Sequence, residues 1–233
     1  MRDWPPLLSS LEFGSFLSYS PRGTSAEELV SRSLCHQIKR DGHLLVGGRP
    51  AIPVIPRAVQ RLRQAVTPDI ADLLAPDVLL VPVPRSAPFP PGRANGLWVP
   101  QRICEELLRA GFGSRLEALL VRHTAVPKSA FAFRADRPGV ALHHASFRVA
   151  SRLIDPAARI TLVDDVITKG STLLAGASRL AEAYPAATIR AFALVRTLDP
   201  ATSPYDRRRF RALVDPIHSR ITLTRLGAWR RDP

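Results

Sequence analysis

The segment Ile160-Thr-Leu-Val-Asp-Asp-Val-Ile-Thr-Lys-Gly-Ser-Thr172 constrains this chain more than any other stretch. Ile160–Val163 reads as a short buried strand and runs straight into two adjacent acids. A turn rich in glycine and hydroxyls follows and opens a helix. Gly170–Tyr184 carries Leu173, Leu174, Ala177, Leu180 and Ala181 on one stripe, and Thr188–Val195 reads as a further strand. Strand, helix and strand in that order predict a right-handed βαβ unit on a parallel sheet.

Open α/β sheets bind ligands at the carboxyl ends of their strands. At this turn the backbone N–H groups of Thr168, Lys169, Gly170, Ser171 and Thr172 are expected to converge on an anion, helped by the helix N-terminus. The hydroxyls of Thr168, Ser171 and Thr172 add donors. Gly170 is expected to approach that anion too closely to leave room for a Cβ. Asp164 and Asp165 stand just upstream, placed to accept from vicinal hydroxyls of a sugar. Either half alone reads as an ordinary turn or helix cap. Together they describe a site for a 5-phosphorylated ribose.

Elsewhere the pattern is plainer. Residues 1–24 carry turn signals, Trp4-Pro5-Pro6 and Pro21-Arg22-Gly23, around a short apolar piece. Residues 25–40 have helical spacing, with Leu29, Leu34 and Ile38 on one side and Ser25 as N-cap. A proline-spaced connection from Pro50 to Pro56 precedes a basic helix near 57–66. Asp77–Val83 reads as a strand buried on both faces, 97–110 as a helix, and 117–121 as a strand. From Arg122 to His144 apolar periodicity is lost. This predicts a long functional loop, mobile without ligand, exposing Lys128, Arg134, Arg137, His143 and His144. His143 and His144 have no third ligand at helical spacing and read as surface residues rather than metal ligands. The tail from Asp215 to Leu223 adds one more strand.

The 160–172 segment resembles the phosphoribosyl pyrophosphate signature of the type I phosphoribosyltransferases. The resemblance implies an α/β fold with a parallel sheet flanked by helices and a small hood built from terminal segments. It implies one domain over 1–233, with a core at about 77–197 and additions at 1–56 and 198–233. The family's paired acids, which bind the ribose hydroxyls and meet Mg²⁺ through water or those hydroxyls, map onto Asp164 and Asp165. Its 5-phosphate loop maps onto Thr168–Thr172. Thr161 replaces an aliphatic strand residue, and Lys169 stands where a small residue or Arg is usual. Val81-Pro-Val-Pro-Arg85, with Gly92-Arg-Ala-Asn95, resembles the ComF-like branch, and Val-Asp-Asp-Val-Ile-Thr resembles orotate and ComF-like members. On this likeness Arg85 and Ser86 hold pyrophosphate, and 122–144 is the mobile catalytic loop, with Lys128 stabilising the leaving group. Thr168 stands where enzymes for 6-oxopurines place an Asp, which disfavours that acceptor class. The implied activity is transfer of phosphoribose to a nitrogen acceptor. Asp165 and Lys128 are the expected catalytic residues, Mg²⁺ the cofactor, and phosphoribosyl pyrophosphate and a small nitrogenous acceptor the partners.

Composition narrows the alternatives. The net charge of +13 comes from 33 basic residues against 20 acidic ones, and only Lys39, Lys128 and Lys169 are lysines. Such a field attracts phosphates of any kind, so a second reading is a phosphoribosyl pyrophosphate sensor or nucleic-acid-linked regulator, supported by Arg207-Arg208-Arg209 and Arg211. Nucleic acid is the lesser expectation, and a homodimer is compatible with the sequence. Cys35 and Cys104 have no Cys-x-x-Cys pairing and read as two buried thiols, without the cysteine-rich zinc element common in ComF-like proteins. No stretch approaches the roughly 18 apolar residues of a membrane helix. The start of the chain is a poor secretory signal, so a cytoplasmic protein is expected.

Overall fold

The computed structural model describes residues 8–45, 50–89, 96–127, 139–150, 158–198, 212–223 and 229–231. In chain order its elements are β1 (Ser10–Tyr19), α1 (Ala26–Ile38), β2 (His43–Leu44), β3 (Ile52–Pro53), α2 (Val54–Ala65), α3 (Pro68–Leu73), β4 (Leu79–Pro82), α4 (Val99–Arg109), β5 (Arg115–Leu116), β6 (Leu120–Arg122), α5 (Val140–Ser146), β7 (Phe147–Val149), β8 (Arg159–Ile167), α6 (Ser171–Ala183), β9 (Thr188–Thr197), β10 (Val214–Leu223) and β11 (Trp229–Arg231). Seven of the strands form one sheet in the order β11-β10-β1-β9-β8-β4-β5. The five from β1 to β5 in that order are mutually parallel, and β10 and β11 add an antiparallel margin. The terminal segments, expected as a hood, thus supply strands of the sheet itself.

The sheet is buried on both faces because its apolar residues alternate sides with the pleat. On β4, β8 and β9, Leu80, Val163, Phe192 and Leu194 join one core with residues of α1 to α4. Their neighbours Leu79, Val81, Leu162, Ala191 and Ala193 join a second core with residues of α5 and α6. Small residues on α6 let it lie close: a Cβ on Gly176 would come within 2.9 Å of Leu120 and 3.0 Å of Leu162. Thr161, the odd polar residue in β8, is fully buried and donates its hydroxyl to the Leu73 carbonyl at the end of α3, at 2.7 Å. Its polarity is therefore satisfied.

Several expected elements appear where the spacing placed them. α1 begins with a capping box in which Ser25 and Glu28 each accept the other's backbone N–H. Leu34 and Ile38 are buried, but Leu29 is 51% exposed and so leaves the apolar stripe assigned to it. The piece at 10–19 is not a minor apolar patch between turns: it is β1, in the interior of the sheet between β9 and β10. Among the described residues, no helix is long and apolar enough to cross a membrane.

Where β1, β9 and β10 meet, the buried guanidinium of Arg196 donates to the Asp215 carboxylate and, at 3.1 Å, to Ser18 Oγ. Ser18 also donates to Asp215 at 3.0 Å. Asp215→Asn keeps an acceptor and removes the charge, so urea unfolding is expected to show a loss of about 1.5 kcal/mol. An unchanged midpoint would mean that the ion pair contributes nothing to the join.

Candidate functional site

The carboxyl ends of β4, β8 and β9 lie side by side at one edge of the sheet. Pro82 is in register with Val163, and Val163 with Phe192. Beyond β4 the pairing continues, with Val83 N–H donating to the Val163 carbonyl at 2.9 Å. This register delivers Arg85 and Ser86, on the loop after β4, to the edge where β8 carries Asp164 and Asp165. Arg85 is exposed, with its guanidinium 4.5 Å above the Phe89 ring.

The strand does not end at Val163 as expected but runs on through both acids to Ile167. Each carboxylate caps the next residue: Asp164 Oδ1 accepts from Asp165 N–H at 2.9 Å, and Asp165 Oδ1 from Val166 N–H at 2.8 Å. Burial, and then the adjacent charge of Asp165, push the Asp164 carboxyl well above the usual carboxylate range. Lys39, just past α1, brings its ammonium 3.6 Å from Asp165 Oδ2. Burial opposes that charge, yet Asp165 and its neighbours hold the Lys39 pKa above the ordinary lysine value. The sequence named Lys39 only as one of three lysines; its place in the site comes from the seat of α1 against the sheet.

The turn Thr168–Gly170 leads directly into α6, whose first residues are Ser171 and Thr172. Gly170 is the N-cap with φ +86°, a left-handed conformation that favours glycine. The surroundings of Gly170 differ from expectation: a Cβ there would meet Ile221 Cδ1 at 2.4 Å, so protein already occupies the space assigned to a ligand. Leu174 N–H donates to the Gly170 carbonyl at 2.9 Å, and the first N–H groups of any helix have no acceptor within it. Thr168 Oγ1 lies 3.2 Å from Thr197 Oγ1, which ties the turn to the end of β9.

Behind this edge is a buried polar group that the sequence did not disclose. Arg122, at the end of β6, is 4% exposed. Its Nε donates to the Arg85 carbonyl at 2.6 Å, its Nη1 to Ser146 Oγ, and its guanidinium lies 4.1 Å above the Phe147 ring. Arg122 Nη2 is 3.5 Å from His143 Nδ1, and His143 Nε2 is 3.3 Å from Thr172 Oγ1. Burial brings the Arg122 pKa down to about 10, against the opposing pull of Asp164. Burial, then the charge of Arg122, bring His143 down to about 4.

The expected loop at 122–144 is corrected at both ends. Arg122 closes β6, Val126 N–H donates to the Ser86 carbonyl at 2.9 Å, and 140–146 form α5. His143 and His144, read as surface residues, are 4% and 1% exposed. They face inward because one joins Arg122 and the other meets Glu182 Oε1 at 2.8 Å. Lys128, Arg134 and Arg137 lie outside the described residues, as do Gly92–Asn95 and Arg207–Arg211. Cys35 and Cys104 are buried thiols; burial pushes Cys35 up to about 12 and raises Cys104 well above the usual thiol range, so neither is a reactive thiolate.

Among the described residues, no group of three or more His, Cys, Asp or Glu could by itself hold a metal ion. Two adjacent carboxylates are a hard oxygen donor set too small for a protein cage. Mg²⁺ suits such a set, because it keeps waters and substrate oxygens in its shell.

The sequence matches no known family profile. It likewise matches no curated protein. Solved structures that resemble it include the adenine phosphoribosyltransferase of Leishmania donovani, at 15% identity over 79% of this chain and 84% of that one, with a TM-score of 0.30. The adenine phosphoribosyltransferase of Trypanosoma brucei, in complex with AMP, pyrophosphate and ribose-5-phosphate, matches at 12% identity over 72% and 80%, with a TM-score of 0.30. That of Leishmania tarentolae matches at 14% over 77% and 91%, with a TM-score of 0.31.

Proposed function

We propose that the protein is a phosphoribosyltransferase that binds 5-phosphoribosyl 1-pyrophosphate together with Mg²⁺. In this reading it transfers the phosphoribosyl group to a nitrogen acceptor and releases pyrophosphate. The observation that carries the reading is the direct junction, through the left-handed turn at Gly170, of the adjacent acids on β8 with the N-terminus of α6. One end of a ribose 5-phosphate offers vicinal hydroxyl donors and the other a dianion. The site offers carboxylate acceptors and, a few residues on, a helix N-terminus that favours negative charge.

Each residue then has a task. Asp164 and Asp165 accept from the ribose hydroxyls and, through those hydroxyls or water, hold the metal. Thr168–Thr172 bind the 5-phosphate, and Arg85 and Ser86 the pyrophosphate. Mg²⁺, when bound, supplies positive charge to the leaving group. The bond from C1 to the pyrophosphate oxygen breaks with its electron pair going to pyrophosphate. The acceptor nitrogen forms the new bond to C1 and gives up its proton. Lys128 is the proposed loop partner of the departing pyrophosphate.

Isothermal calorimetry with phosphoribosyl pyrophosphate and Mg²⁺ tests the assignment. Asp165→Asn is expected to bind about tenfold more weakly than the unaltered protein, as loss of one charge-assisted hydrogen bond requires. Equal affinity in the two proteins would remove the acids from the ribose site. No heat with the unaltered protein would end the reading altogether.

A further inference from the structure

We infer that His143 is a positioning residue that fixes the Thr172 hydroxyl as a hydrogen-bond donor toward the 5-phosphate. The inference rests on the phosphoribosyl reading above and assigns a residue which that reading leaves without a role.

The direction of each hydrogen bond follows from the first member of the chain. A guanidinium has donors only, so Arg122 Nη2, 3.5 Å from His143 Nδ1, requires Nδ1 to be the accepting nitrogen. A cation on that side of the ring disfavours a proton on Nδ1 for the same electrostatic reason. The ring's hydrogen therefore sits on Nε2, which points at Thr172 Oγ1 from 3.3 Å. Thr172 accepts there, and its own O–H is left to donate elsewhere. Were the tautomer reversed, Thr172 would spend its hydrogen on the ring and turn lone pairs toward an anion.

The ring has little freedom to do otherwise. It is 4% exposed and stacks on Phe147, with centroids 6.3 Å apart and planes 23° from parallel. Ser146 Oγ donates to the His143 carbonyl at 2.7 Å and accepts from Arg122, so one guanidinium holds both the ring and its backbone. The same guanidinium donates to the Arg85 carbonyl on the loop after β4. Arg122 thus ties the two ends of the proposed ligand site together from behind. The ring stays neutral at physiological pH, in keeping with its lowered pKa.

Calorimetric titration of ribose 5-phosphate into four proteins tests this: the unaltered chain, His143→Phe, Thr172→Val and the double variant. Phenylalanine keeps a stacked aromatic ring, somewhat larger than the imidazole, and removes both nitrogens. His143→Phe and Thr172→Val are each expected to weaken binding about tenfold, and the double variant no further than Thr172→Val alone. His143→Gln, which can place an amide N–H near the Nε2 position, is expected to recover most of the loss. Unchanged binding in His143→Phe would overturn the inference and leave the ribose site standing. So would a full additional loss in the Thr172→Val background, which would show that the histidine acts by packing. If the unaltered protein does not bind ribose 5-phosphate, the underlying reading fails and this inference with it.

Discussion

Gly170→Val is expected to lower the stability of the fold by about 4 kcal/mol, with a fall in melting temperature of roughly 10 °C. Two costs add at this position. A φ of +86° strains any L side chain, by about 1–2 kcal/mol even before β-branching. The new Cβ would also stand 2.4 Å from Ile221 Cδ1 on β10, a contact that forces a shift. Reading the sequence alone, lost phosphate binding is the expectation for this variant. The structure moves the effect to stability, because the crowding atoms are protein. Ile221→Ala relieves the clash and leaves the backbone strain, so in that background, measured against Ile221→Ala alone, Gly170→Val should cost only about half as much. Thermal unfolding of the single and double variants measures both parts. A single variant that melts with the unaltered protein would refute the left-handed turn.

Acidification should cost the folded state about 3 kcal/mol at His143 alone. Its pKa is about 4 in the folded chain against 6.5 ordinarily, so between those values the unfolded chain takes up a proton that the folded chain does not. The stabilisation is complete above pH 6.5 and drains away as the pH falls toward 4. Asp164 works in the opposite sense: its raised pKa means that the folded chain holds a proton the unfolded chain releases, so its contribution grows as the pH falls. The two effects overlap in a simple pH scan. Denaturant unfolding of His143→Phe beside the unaltered protein separates them, since Asp164 is common to both. The difference in stability should move by about 3 kcal/mol in favour of the variant between pH 7 and pH 4. A flat difference would place the ring in water.

The contiguous part of the site was legible in the sequence because chain order and spatial order coincide there. Strand β8, its acids, the turn and α6 follow one another without a break, and apolar spacing marks the start of the strand and the helix. What escaped was set by partners distant in sequence. β1 reads poorly because Ser15 and Ser18 are buried in it, and Ser18 is tolerated through Arg196 and Asp215 from two other strands. The strand continues through Asp164 and Asp165 because it stays in register with Ala193 and Val195 of β9, while the carboxylates accept from the next N–H groups, which no periodicity encodes. His143 and His144 are adjacent and polar, a surface pattern by any local rule. Their burial depends on Arg122 and Glu182, 21 and 38 positions away. Arg122 itself looked like the first residue of a basic loop, although its apolar stem and guanidinium lie over Phe147.

The place of β1 has a consequence for how the protein is made. Phe13 pairs with Ala191, and Ser10 with Thr222, so β1 waits for strands made much later before its hydrogen bonds are met. On the ribosome, β8, α6 and β9 can associate as soon as they emerge, because their pairing is local. β1 meanwhile remains an unpaired edge carrying Phe13, Phe16 and Leu17, the kind of segment that chaperones shield and aggregates recruit. Closing the sheet across so long a loop is a slow step. A truncation that spares every ligand-facing residue but removes β10 would therefore leave β1 with an open edge, and yield and solubility would suffer before chemistry did.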